Sequence, residues 1–257
     1  MATREKGKYP RVGLLSDDQR IRVVKDIFRT IPSRYDFLNR LLSLGQDASW
    51  RRSASRRAHF FRTYRFLDVG TGTCDLAIET AMGHPEIQTV GADFVEEMLE
   101  LGAKKVKARK LENRIHLLKA DAMKLPFPDA AFDVVGIAFG IRNIPQRIHA
   151  LREMLRVLVP GGRSLILETS FPQSRLLQKV YPVYLKGLLP RLAALFSPNP
   201  DAYNYLKDSI MDFPSPAGFA GLMEKAGFQN VTRHSLTFGI TCLYSGHKPE
   251  NAGEAPL

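Results

Sequence analysis

"FLDVGTGTCDLAIE", residues 66–79, decides the fold. A short apolar run ends on Asp68, Gly70 and Gly72 give a tight turn with room for close backbone approach, and Thr73, Cys74 and Asp75 open a helix. A strand, a glycine turn and a helix in that order form the first half of a βαβ crossover. A dinucleotide fingerprint of the G-x-G-x-x-G kind would place a third glycine at position 75 and a pyrophosphate on the helix N-terminus. Asp75 stands there instead, and its carboxylate repels a pyrophosphate.

Outward from this unit the chain alternates. "TVGADF" (89–94), "IHLLKAD" (115–121), "FDVVGIAF" (132–139) and "RSLILET" (163–169) read as strands two to five. "EEMLELGAKKVKARKL" (96–111) and "RIHALREMLRVL" (147–158) read as helices, the latter stopped by "VPGG". Regular βαβα alternation predicts a parallel sheet covered by helices on both faces, an α/β fold. "SDDQRIRVVKDIFRT" (16–30) has a Ser cap and helical apolar spacing. After Ser170 the alternation stops. Residues 171–200 are apolar and proline-rich, "DAYNYLKDSIMDF" and "SPAGFAGLMEKAGF" predict short helices, and 230–248 predicts a strand pair turning at Phe238–Gly239. The expected organisation is one domain over 1–257. It has an N-terminal helical cap at 14–60, a Rossmann-like core at 64–170 and 228–248, and an apolar helical insertion at 171–227 over the carboxyl ends of the strands.

Three acids fall at three successive strand ends. Asp68 closes the first; Asp93 closes the second about 20 residues after the glycines, where an acid takes ribose hydroxyls. Asp121 closes the third, placed to accept from an adenine amino group, with Ala122 leaving room for the ring. A carboxylate-rich loop without a third glycine suits a cationic nucleoside without phosphate. S-adenosylmethionine, with its amino and sulfonium groups, meets that description.

Composition narrows the class. The chain has 257 residues, 44% hydrophobic, and two cysteines, Cys74 and Cys242, with no metal-ligand spacing. No disulfide framework or metal site is expected, and a cytoplasmic setting fits. No signal peptide is visible and no charge-free run of about 18 residues occurs. The net charge is +11, and residues 1–65 hold 16 Lys/Arg against six acids. That patch fits nucleic acid, an anionic lipid surface or plain solvation.

Beyond the cofactor loop, "RYDFLNRLLSLGQDASWRR" (34–52), "LPFPDAAFD" (125–133), "FGIRN" (139–143), "YNYLKDSI" (203–210) and "LTFGITCLYSG" (236–246) resemble the UbiE/MenG family over roughly residues 20–248. These are C-methyltransferases of menaquinone and ubiquinone biosynthesis. The resemblance implies a seven-stranded class I methyltransferase sheet, mostly parallel with a terminal antiparallel strand, S-adenosylmethionine as cofactor and a polyprenyl quinol as substrate. It carries the cofactor-binding role onto Thr73, Asp93, Asp121 and Ala122. Demethylmenaquinol is the expected acceptor, with 2-methoxy-6-polyprenyl-1,4-benzoquinol as the second; peripheral contact with an anionic membrane and a homodimer are compatible with it. Two positions depart from the family pattern, Cys74 where glycine is usual and Ala138 where some members have serine.

In that light Arg142 and Asn143, at the end of the apolar fourth strand, have two readings. Arg142 either stabilises the quinol oxygen, with Asn143 positioning it, or pairs with a buried acid. Tyr35, Asp36 and Tyr205 match family positions on the cap segments and are expected around the ring pocket, while His149 reads as structural. The prenyl tail would run through 171–200, with Lys179, Lys186 and Arg191 meeting headgroups. Rival readings are a methyltransferase of another small molecule and an RNA methyltransferase. The latter lacks support: no D/N-P-P-aromatic run follows strand four, and neither cysteine is placed as a nucleophile.

Overall fold

The computed structural model describes residues 9–10, 12–30, 36–37, 39–41, 43–170, 187 and 201–250. Tyr35 and the 171–200 segment, apart from Gly187, lie outside them, and with that segment Lys179, Lys186 and Arg191. The apolar runs form β1 (Arg65–Val69), β2 (Gln88–Asp93), β3 (Ile115–Lys119), β4 (Phe132–Ala138) and β5 (Leu158–Thr169), followed by β6 (Gln229–Leu236) and β7 (Thr241–His247). They join in one seven-stranded sheet of order β3-β2-β1-β4-β5-β7-β6. The first five strands pair in parallel; β7 lies antiparallel to both β5 and β6. Strand order reverses at β1, so a crevice opens at the carboxyl ends of β1, β2 and β4.

The helices are α1 (Asp17–Thr30), α2 (Gln46–Ser55), α3 (Asp75–Gly83), α4 (Glu96–Ala108), α5 (Arg147–Val157), α6 (Asp201–Met211) and α7 (Pro216–Ala226). Successive strand residues face opposite layers. Phe66, Val134 and Leu165 pack with Trp50 of α2 and Leu76 of α3. Leu67, Val135 and Ile166 pack with Leu151 and Met154 of α5 and Phe219 and Met223 of α7. Burial on both faces is why these strands read as unbroken apolar runs. Each such fully buried side chain contributes roughly 1.5–3 kcal/mol. Thus α7 covers a sheet face, while α1 and α6 meet through Val24, Ile27 and Tyr205.

Local chemistry sets the ends. Ser16 Oγ accepts from Gln19 N (3.3 Å) and Gln19 Oε1 from Ser16 N (2.9 Å), a reciprocal cap on α1. Ser215 Oγ caps α7, Pro216 starts it, and Gly227 ends it at φ 108°. "VPGG", expected as a stop, is drawn into β5: Phe132 pairs with Leu158, and the register resumes three residues out at Val134 with Arg163. Gly161, at φ 77°, makes that bulge possible. Among the described residues no helix is long and apolar enough to cross a membrane.

Candidate active site

A pocket enclosing about 890 Å³, part of it open to solvent, occupies the crevice. The carboxyl ends of β1 to β4 supply the floor through Gly70, Gly72, Asp93, Ala122 and Phe139; Ile21, Val24 and Phe28 of α1 close over it. α1 is tied at both ends. Arg29 Nε donates to Glu97 Oε1 at 2.5 Å, and Arg20 Nη2 to the Arg142 carbonyl at 2.6 Å.

The glycine loop is held by the acids. Gly70 and Gly72 adopt φ 60° and 54°, where a side chain would be strained. Gly72 N donates to Asp93 Oδ2 (2.8 Å), and Val95 N to Asp93 Oδ1 (2.9 Å). Asp93 lines the pocket while bracing the loop, and burial raises its carboxyl above the usual range. Asp68 lies behind the loop, away from the pocket lining. Its Oδ2 accepts from Thr71 Oγ1 (2.7 Å) and Ala77 N (3.1 Å), and burial pushes its carboxyl up to about 7. Asp121 is exposed on the rim, with Oδ1 taking Met123 N at 2.8 Å, and Ala122 follows it into the wall. Thr73 is buried but does not line the pocket: its hydroxyl donates to Asp36 Oδ1 at 2.6 Å. Cys74 takes φ 68°, the conformation for which glycine is suited, and its sulfur fills the space left by the missing side chain of Gly102. Burial pushes that thiol up to about 12, so it is no nucleophile.

On the β4 side, Asn143 lines the pocket with a buried Oδ1 that has no hydrogen-bond partner among the described residues. Arg142 turns the other way, contrary to the expectation of a cation at the substrate. Its Nη1 donates to Glu168 Oε1 (2.7 Å) and to the Phe139 carbonyl (2.6 Å), and its N–H to Glu168 Oε2 (3.1 Å). Glu168, fully buried at the end of β5, was not singled out in the sequence. The signal was available, because one acid closes an otherwise apolar strand in "LILET". Tyr205 likewise stands in the apolar cluster of Val24 and Ile27 and not on the pocket wall; burial raises its phenol, which stays protonated. His149 is exposed on α5, its Nδ1 2.5 Å from Gln146 Oε1.

A family model described as the ubiE/COQ5 methyltransferase family matches residues 15–248. The chain belongs to that family. It is 47% identical over 226 residues, 88% of each chain, to the ubiquinone/menaquinone biosynthesis C-methyltransferase UbiE of Geobacter sulfurreducens. Two demethylmenaquinone methyltransferases are 45% identical: that of Deinococcus radiodurans over 88% of this chain and 92% of its own, and that of Thermus thermophilus over 87% and 100%. Among solved structures, a SAM-dependent methyltransferase from Thermotoga maritima superposes with a TM-score of 0.62 at 20% identity, covering 87% of this chain and 99% of that one. That likeness concerns the fold. The residues present fit S-adenosylmethionine. Glycine backbone leaves the floor open, the carboxylates of Asp93 and Asp121 supply acceptors, and apart from Asn143 most of the remaining wall is apolar.

Proposed function

We propose that this enzyme transfers a methyl group from S-adenosylmethionine to a ring carbon of a polyprenyl quinol, with demethylmenaquinol as the acceptor. The observation that carries the reading is the polarity of the pocket. Carboxylates lie at its β2 and β3 end, glycine backbone in the middle, and at its β4 end an apolar wall with an acceptor, Asn143 Oδ1, that is unpartnered among the described residues. The names of the Deinococcus and Thermus relatives support demethylmenaquinol; the double name of the Geobacter relative supports a 2-methoxy-6-polyprenyl-1,4-benzoquinol as second acceptor.

The bound cofactor supplies an electrophilic methyl group on a positively charged sulfur. Asp93 accepts from the ribose hydroxyls, Asp121 from the adenine amino group, and Ala122 leaves space for the ring. Asp68 fixes the loop from behind through Thr71 and Ala77. Asn143 Oδ1 accepts from a quinol hydroxyl; the more the O–H bond is polarised, the more electron density reaches the adjacent ring carbon, which would take the methyl group and then lose its displaced hydrogen to solvent as a proton, leaving S-adenosylhomocysteine as the second product. Holding two reactants at about 3–3.5 Å in line supplies several kcal/mol. Ile21, Val24 and Phe139 keep water from the site, which strengthens each polar contact inside it. Arg142 acts through Phe139: its hydrogen bond holds that residue at φ 57°, which sets the turn that presents Asn143.

A polyprenyl substrate resides in a bilayer, and peripheral contact with an anionic membrane is part of the proposal. The excess of cations in residues 1–65 supports it, as do Leu44 and Phe238, 82% and 83% exposed. Phe238 belongs to the carboxyl edge of the sheet, since Ser170 Oγ, just past β5, donates to the Gly239 carbonyl and Trp50 Nε1 of α2 to Thr237 Oγ1.

The test is transfer of labelled methyl from S-adenosylmethionine to demethylmenaquinol with and without dithionite. Ring-methylated product is expected only under reduction. Asn143→Ala should bind S-adenosylhomocysteine normally and lose about tenfold or more in kcat/KM for the quinol, about 1.4 kcal/mol. No methylated product from either quinol class would overturn the reading.

A further inference from the structure

Thr73 is the loop residue that the sequence marks for the cofactor, yet its side chain serves a network outside the pocket. Lys105 of α4 donates through Nζ to Asp36 Oδ2 (2.9 Å), to Thr73 Oγ1 (3.1 Å) and to Asp75 Oδ1. An ammonium has three donors, and all three are used. Arg51 of α2 extends the network, with Nη2 3.6 Å from Asp75 Oδ2 and Nη1 2.6 Å from Asp47 Oδ2. Four separate parts of the chain therefore meet here: the segment around Asp36, α2, the glycine loop at the start of α3, and α4.

The network pins the loop from the side opposite Asp93. Gly72, whose N–H is held by Asp93, precedes Thr73, whose hydroxyl is held by Asp36 and Lys105. Charge explains why Lys105 is central. Asp36 and Asp75 approach the same ammonium; with that charge removed, two carboxylates face each other across Thr73 and the more exposed one, Asp36, moves away. The segment around Asp36 leads into α2, whose Trp50 packs on Phe139 of the pocket wall with ring centroids 5.9 Å apart. The N-terminal segment thus touches the pocket wall at Phe139 and the glycine loop beside the pocket at Thr73.

We propose that Lys105 is a positioning residue that latches the segment around Asp36 onto the glycine loop, so that docking of this segment and occupancy of the pocket by a cofactor favour each other. This rests on reading the pocket as the S-adenosylmethionine site. By reciprocity, a ligand that orders the loop tightens the latch, and breaking the latch weakens the ligand by the same factor.

Trp50 is the single tryptophan and reports on the pocket wall. Its fluorescence is titrated with S-adenosylhomocysteine in wild type, Lys105→Met, Lys105→Arg and Asp36→Ala, and cleavage by trypsin after the exposed Arg40 is followed with and without that ligand. Lys105→Met should raise Kd about tenfold and abolish ligand protection at Arg40, and Lys105→Arg should restore most of both. Asp36→Ala should raise Kd similarly, and the double variant Asp36→Ala/Lys105→Met no further than either. Wild-type affinity in Lys105→Met, or additive losses in the double variant, would overturn the latch while leaving the cofactor site intact. Because Asp36 is half exposed, Asp36→Ala keeps the test open should Lys105→Met fail to fold. No binding by wild type would overturn the cofactor reading itself.

Discussion

Arg142 shows how far a single residue's role depends on its partner. A guanidinium buried at a strand end must be neutralised, because removing one member of such a pair costs about 3–5 kcal/mol. Glu168 meets that need, and the pair leaves Asn143 as the group on the pocket wall. Asp68 presents the opposite case, a buried carboxylate whose hydrogen bonds with Thr71 and Ala77 do not offset its desolvation. Its carboxyl is pushed up to about 7, so the folded chain holds this proton more tightly than the unfolded chain, where aspartate titrates near ~3.9. The stability this gives is full below about pH 4 and is lost as pH rises through about 7. Urea unfolding at pH 5, 6, 7 and 8 should therefore show Asp68→Asn gaining on wild type by up to about 1.4 kcal/mol per unit between pH 5 and 7, then levelling. A difference that does not move with pH would refute this account.

Elements in this fold are joined by polar devices as well as by apolar faces. The chain enters β1 through residues 61–64, and Asp133, at the start of β4, accepts from the backbone N–H groups of Phe61, Arg62, Thr63 and Tyr64, the last at 2.7 Å. One buried carboxylate thereby satisfies four successive donors that no strand pairs. Hydrogen bonds to a charged acceptor are each worth about 1.5–3 kcal/mol. Asp133→Asn, which keeps the shape and loses one acceptor oxygen, should destabilise the fold by roughly 3 kcal/mol in denaturant unfolding. A loss below about 0.5 kcal/mol, the size of an ordinary surface change, would mean the carboxylate is dispensable. The same reliance on polar contacts shapes α2, which lies within the helical cap expected at 14–60. Its buried side includes Asp47 and Arg51, paired at 2.6 Å, so part of the basic excess of residues 1–65 is neutralised inside the fold, which charge counting along the chain does not show.

For the whole molecule, the exposed Phe238 at the carboxyl edge matters only if a surface covers it. Replacing Phe238 by Asp should weaken co-sedimentation with anionic phospholipid vesicles about tenfold, the effect of losing roughly 1.4 kcal/mol of apolar burial, and leave methyl transfer to a short-chain quinol in detergent unchanged. Equal sedimentation of wild type and variant would remove Phe238 from the contact. Much of the architecture was legible in the chain. Period and length fixed the five parallel strands, the terminal hairpin and most helices to within a few residues, because burial on one or both faces imposes an apolar pattern that local sequence must carry. The glycine loop and the acids at 93 and 121 were equally readable, since they are local and sit at strand ends. Side-chain direction was not. Whether Arg142 meets a ligand or Glu168, whether Thr73 faces the pocket or Asp36, and whether Tyr205 lines a cavity or a core depend on residues from distant parts of the chain. Those choices are made by electrostatic pairing and, for Tyr205, by apolar packing across elements, which exist only once the tertiary structure has brought the partners together.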